Sequence, residues 1–180
     1  MKPLIVFIGL VLVGSMIFCF NGDALRYGDE AAGLKEAASE CAAAAALSLD
    51  PSAYADGRLA FDRDAAVNSA ISSFENYLAK NSRVPVTEAF LTLVANDDTG
   101  IWRHDAAIAA GGSPAGRSAA PLSTSGAEPG AGMPALPALP AGAPHSVTVC
   151  LYLETPDLFR LTGIEITSLC RVSTYELVTP

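Results

Sequence analysis

Residues 4–20 read LIVFIGLVLVGSMIFCF, and residues 23–48 read DALRYGDEAAGLKEAASECAAAAALS. The first stretch carries no charge. Seventeen residues at about 1.5 Å each reach roughly 26 Å, the short end of a membrane span. The second stretch is rich in strong helix formers and meets no proline until Pro51. Within it Tyr27, Ala31, Leu34, Ala38, Cys41 and Ala45 recur at spacings of 4, 3, 4, 3 and 4. That is a seam of mostly small residues at the spacing of close helix packing. The two stretches together predict one long helix that leaves the membrane and continues beyond it.

The flanks of the apolar run set an expected orientation. Lys2 precedes it, and Asp23, Arg26, Asp29 and Glu30 follow it. A positive charge on the short N-terminal flank predicts a cytoplasmic N-terminus and a translocated remainder. A cleaved signal peptide needs small residues just before its cleavage site. The end of the run, Ile17-Phe18-Cys19-Phe20-Asn21-Gly22-Asp23-Ala24, puts a bulky Phe in most registers. A lipoprotein needs a small residue before its cysteine, and Phe18 precedes Cys19. A retained signal anchor over residues 1–22, with a transmembrane helix at 4–20, needs only the run itself. It is the favoured reading over the cleaved signal and over a buried helix of a soluble domain.

Composition narrows the function classes. Of 180 residues 51% are hydrophobic, but 32 are alanine and a further block is the apolar run. The core left for a folded domain is modest. Eleven Lys and Arg against 19 Asp and Glu give a net charge of −8. An acidic chain with scattered basic residues lacks the electrostatic footprint of a nucleic-acid binder. Beyond Lys2 it has no polybasic segment for anionic lipid. A large enzyme is also disfavoured.

The remaining chain reads as a small α+β domain. Leu49-Asp50-Pro51-Ser52 ends the first helix, because proline cannot continue it. Asp56-Gly57 is a turn signal and Asp62 an N-cap for a second helix over 63–80. Val67, Ala70, Ile71, Phe74, Tyr77 and Leu78 form that helix's apolar face. Residues 84–95 take on strand character, 96–100 form a turn, and Ile101-Trp102-Arg103 start a return strand. The extent of that strand is open, since Ala106–Ala110 fits a helix equally well. In 111–145, seven Gly, seven Pro and nine Ala make up 23 of 35 residues. Such a stretch predicts a disordered linker, because it buries too little apolar surface to offset its chain entropy. Val147, Val149, Leu151 and Leu153 alternate on one strand face. Thr155-Pro156-Asp157 is a turn, Leu158-Phe159-Arg160-Leu161 is short and apolar, and 163–178 is β-rich. The expected organisation is an anchor (1–22), helices and first strands (23–110), the linker (111–145), and a β-hairpin (146–180) completing the same domain. The sheet is expected to be small and antiparallel, under helix 63–80 and the outer part of the first helix.

Chemistry-bearing patterns are sparse. His104 and His145 lack partners at metal-ligand spacing. No phosphate loop, nucleophile elbow or HExxH occurs. Asp97-Asp98 and the Asp62/Asp64 pair lack the twelve-residue calcium-loop pattern, and turn and cap roles account for them. No catalytic, cofactor-binding or metal-ligating set is expected. Cys41 falls on the seam, where a buried thiol is natural. Cys150 and Cys170 lie on strands that pair around the intervening turn, and their register decides between a disulfide and two buried thiols.

Residues 34–47, LKEAASECAAAAAL, resemble the segment after the membrane helix in minor pseudopilins of the TadE/TadG type from tight-adherence (Tad, or Flp) pili. Tyr54-Ala55-Asp56-Gly57-Arg58 and Phe61-Asp62 are similar to phrases in Gram-positive relatives of those proteins. The likeness covers roughly residues 1–80. Members with a processed leader carry a glycine before the span and a glutamate near its start. Here only Met1-Lys2-Pro3 precede the run, and it holds no Glu. The resemblance therefore implies an accessory, surface-facing component of a pilus or secretion assembly, without enzymatic activity, in contact with other components of that assembly. The seam would meet a partner helix, in an oligomer or an assembly, or the chain's own domain. In the intermolecular case, bulky residues at Ala38 or Ala45 would disturb assembly. The rival expectation is an anchored module that captures a ligand or surface protein through its sheet.

Overall fold

A computed structural model describes residues 2–80, 86–109, 144–155 and 167–177. The elements are α1 (Lys2–Ala46), α2 (Pro51–Ala55), α3 (Arg63–Lys80), β1 (Glu88–Asp97), β2 (Gly100–Ala109), β3 (Ser146–Glu154) and β4 (Ser168–Glu176). The fold is α+β. One antiparallel sheet has the order β2-β1-β3-β4, so β3 enters beside β1 and the β3–β4 pair extends the β1–β2 pair. The predicted linker at 111–145 lies outside the described residues, apart from Pro144 and His145, and so do Leu158–Leu161.

Helix α1 runs unbroken for 45 residues, about 68 Å at 1.5 Å per residue. Its first part is bare: every described side chain from Pro3 to Gly22 is exposed. This is one helix long and apolar enough, by length and composition, to cross a membrane. Its second part is the spine of the domain. Leu34, Ala38, Cys41, Ala42, Ala45 and Ala46 are fully buried. Helix α1 packs on β3, β4 and α3, while α3 reaches the sheet mainly at β2. The expected cover of the sheet was helix 63–80 with the outer part of the first helix; the alanine-lined α1 supplies most of it, because short side chains let its backbone approach the strands.

The two faces of the sheet differ. Ala89, Leu91, Leu93 and Ala95 of β1 join Val147, Val149, Leu151 and Leu153 of β3 in the core under the helices. The opposite face carries Phe90, Thr92, Val94, Thr148 and Cys150, all buried as well. Directions along the spine follow from its contacts. Ala31 meets Arg171 of β4, Ser39 meets Ser173, and Ser48 meets Ser69 of α3. The Glu88, Glu154 and Ser168 ends therefore lie toward the bare half of α1, and the β1–β2 turn lies at the far end.

Several local readings match closely and others shift. Asp62 Oδ1 accepts from Ala65 N at 3.1 Å and caps α3, which spans Arg63–Lys80. Gly57 takes the left-handed φ of 77° that the Asp56-Gly57 turn requires. Helix α1 ends at Ala46, ahead of the expected break, and Pro51 opens α2, a one-turn helix capped by Asp50, whose carboxylate accepts from Ser52 N at 2.8 Å. That helix was not expected. Strand β1 continues through Asn96 and Asp97, so the turn narrows to Asp98 and Thr99, with Gly100 at φ 119°. Strand β2 runs to Ala109, which settles the open choice over Ala106–Ala109 in favour of strand: Ala106 and Ile108 pair with Leu91 and Ala89 of β1.

Candidate functional site

The six seam residues all sit where α1 meets its own domain. Ala31, Leu34, Ala38, Cys41 and Ala45 are buried, and Tyr27 is partly buried against the same core. The 3.5-residue spacing describes too narrow a stripe, because Glu30, Ala37, Ala42 and Ala46 are buried too. A helix that covers a sheet on one side and α3 on another buries a wider arc than a coiled-coil seam. Bulky residues at Ala38 or Ala45 would therefore disrupt the domain itself. Burial pushes the Cys41 thiol up to about 12, with Glu40 adding to the effect, so it is an inert core group.

One consequential residue escaped the sequence pattern. A Cβ placed on Gly33 would lie 3.2 Å from Tyr77 Oη. Gly33 is thus the notch in α1 that admits the Tyr77 ring of α3. Burial, helped by the nearby Glu30, raises the Tyr77 phenol to about 12. Taken by itself, a glycine within a helix only weakens it. The signal that would have found it is a glycine on the seam side of an otherwise alanine-lined helix.

The spine is gripped at two levels. Near the bare half, Arg171 Nε donates to Ala31 O at 3.3 Å, and its Nη1 donates to Cys170 O at 2.8 Å. At the far end the segment leaving α1 is tied to the β1–β2 turn. Asp98 Oδ2 accepts from Leu59 N at 2.7 Å, and Asp98 N donates to Leu59 O at 3.1 Å. Asp97 Oδ2 accepts from Phe61 N at 3.0 Å, while its Oδ1 accepts from Thr99 N at 2.8 Å. Burial raises the Asp97 carboxyl, but these donors outweigh it and hold the group below its ordinary range. Phe61 bridges back to Leu49, and Arg63 lies 5.7 Å over the Trp102 ring. The Asp97, Asp98 and Asp62 carboxylates are committed to backbone donors. Among the described residues no group of three His, Cys, Asp or Glu converges to hold a metal ion. His145, at φ 59°, has Nε2 3.6 Å from Asp98 Oδ1, whereas His104 lies on β2 opposite Leu93.

The two β-strand cysteines do come together, off the directly opposed position. Cys150 pairs with Val172 and Cys170 with Tyr152, so they are diagonal neighbours on the face turned away from the helices. Both are free thiols with Sγ atoms 3.3 Å apart. What the geometry offers is mechanical: an apolar helix joined without a break to a domain that packs on its second half with α3, β3 and β4. Comparison with known proteins finds no matching family model, no matching curated protein and no matching solved structure.

Proposed function

We propose that the protein is a membrane-anchored, non-enzymatic accessory or structural component of a Tad-like pilus or secretion assembly. Residues 4–20 would cross the cell membrane once, with the N-terminus cytoplasmic and the domain outside. The observation that carries this reading is the continuity of α1: the helix exposing Leu4 to Phe20 is the same helix that buries Leu34, Ala38, Cys41 and Ala45. A domain built around its own membrane helix moves with that helix as one body. Assembly machinery that displaces subunits in the bilayer needs such coupling, whereas a module that only captures ligands works equally well on a flexible stalk. The resemblance of residues 34–47 supports the same choice.

The test is a hinge. Inserting Gly-Pro-Gly after Gly22 interrupts the helix between its bare and buried parts. Membrane retention and domain melting should stay unchanged, while surface piliation and recovery with the secretion ATPase complex should be lost. Full piliation in the hinged variant would sink the rigid-coupling account and favour the anchored binding module.

A further inference from the structure

The thiol pair of β3 and β4 has no part in the mechanical reading, and its geometry stands independently of it. Cys150 is buried at 1% exposure, while Cys170, on the sheet's edge strand, is partly exposed. Their sulfur atoms lie within 3.3 Å of each other. We propose that Cys150 and Cys170 form a reversible thiol–disulfide site that exchanges electrons with an external disulfide, with Cys170 as the entry thiol and Cys150 as the resolving thiol. The Cys170 thiolate attacks one sulfur of the external disulfide. That bond breaks, a mixed disulfide forms on Cys170, and the departing thiolate takes up a proton. The Cys150 thiolate then attacks Cys170 Sγ. The mixed disulfide breaks, the Cys150–Cys170 bond forms, and the second thiol leaves. The protein gives up two protons and two electrons, and the external disulfide gains both.

The order of the two thiols follows from access: Cys170 is partly exposed and Cys150 is buried. Burial, reinforced by the contact with Cys170, raises the Cys150 thiol, while Arg103 and Asp105, on the same face from β2, act on it in opposite senses. Diagonal neighbours on paired strands sit roughly 7–8 Å apart at Cα, beyond the usual disulfide span, so closing the bond would load edge strand β4. A bond of that kind is readily reduced, which suits a reversible site better than a permanent staple. Strand β4 is also the strand whose Arg171 and Ser173 hold α1 at Ala31 and Ser39. Oxidation would therefore fasten the strand that grips the spine.

The experiment exposes the full chain in detergent to oxidised glutathione and maps peptides by mass spectrometry before and after dithiothreitol. The expected result is a linked Cys150–Cys170 peptide that dithiothreitol reverses, with loss of alkylation at both positions. In Cys150→Ser, glutathione should remain trapped on Cys170; in Cys170→Ser, Cys150 should stay unmodified. Full alkylation of both thiols in the treated wild type would overturn the site. Glutathione captured on Cys150 in Cys170→Ser as fast as on Cys170 in Cys150→Ser would overturn the assigned order.

Discussion

The two halves of α1 share one backbone geometry and differ in everything around it. From Leu4 to Phe20 the side chains are large and exposed, Leu10 at 70% and Phe18 at 80%. From Ala31 to Ala46 most are alanine, and the side turned to the domain, Leu34, Ala38, Cys41, Ala42, Ala45 and Ala46, is fully enclosed. Bulky apolar side chains cover a helix that faces hydrocarbon, where contact area is gained without close approach. Small ones let a backbone settle onto a sheet and a second helix, where the neighbours supply the bulk: Phe74 and Tyr77 from α3, and Leu151, Leu153 and Leu169 from the strands. Side-chain size along one uninterrupted helix therefore reports which surroundings each half is built for.

The sharpest way to break this comparison is to delete the same side chain in both halves. Leu34→Ala removes a fully buried leucine from the core and should destabilise the domain by about 3 kcal/mol in detergent-solubilised protein. Leu10→Ala, from a residue the domain does not touch, should leave domain melting unchanged. Equal losses would mean that the bare half is packed against the domain after all.

An intermediate effect should come from the far-end tie. Asp97 binds its proton more weakly when folded than unfolded, because Thr99 and Phe61 donate to its carboxylate. Its contribution is therefore fully present above the unfolded value near 3.8 and is lost as pH falls through the lower folded value. In Asp97→Asn the acid limb of a stability–pH curve should flatten relative to wild type, with the change confined to the region below that pH. An unchanged limb would show that Asp97 does not anchor Phe61 in solution.

The smallest effect is expected at Gly33. Alanine there gains up to about 1 kcal/mol of helix preference but crowds the Tyr77 hydroxyl. Gly33→Ala should fall within roughly 0.5 kcal/mol of wild type. The double variant Gly33→Ala/Tyr77→Phe should be more stable than Tyr77→Phe alone. A double variant that is less stable would mean that the notch serves the helix backbone rather than the ring.

Much of the fold was legible because it rests on local rules. The charge-free run, the Pro51 break, the Asp62 cap and the Val147–Leu153 alternation each depend on a few adjacent residues. The α2 turn was missed because Pro51 was read only as a terminator, although its fixed φ also suits a first helical position. The full breadth of the α1 contact was hidden because alanine looks the same on a buried face as on an exposed one. Gly33 and the diagonal cysteine register depend on where a second element lies, which no local pattern carries. Asp97 and Asp98 looked like turn residues and are; their ties to Phe61 and Leu59 join segments far apart in sequence.

In the proposed function one continuous helix serves as both membrane anchor and domain spine. The most direct test is carbonate extraction of cell membranes, combined with N-terminal sequencing of the mature chain and protease accessibility of a C-terminal tag. The expected result is a carbonate-resistant membrane protein that retains residues 1–22, with the tag digested from outside intact cells. A soluble mature protein beginning near residue 23 would contradict it.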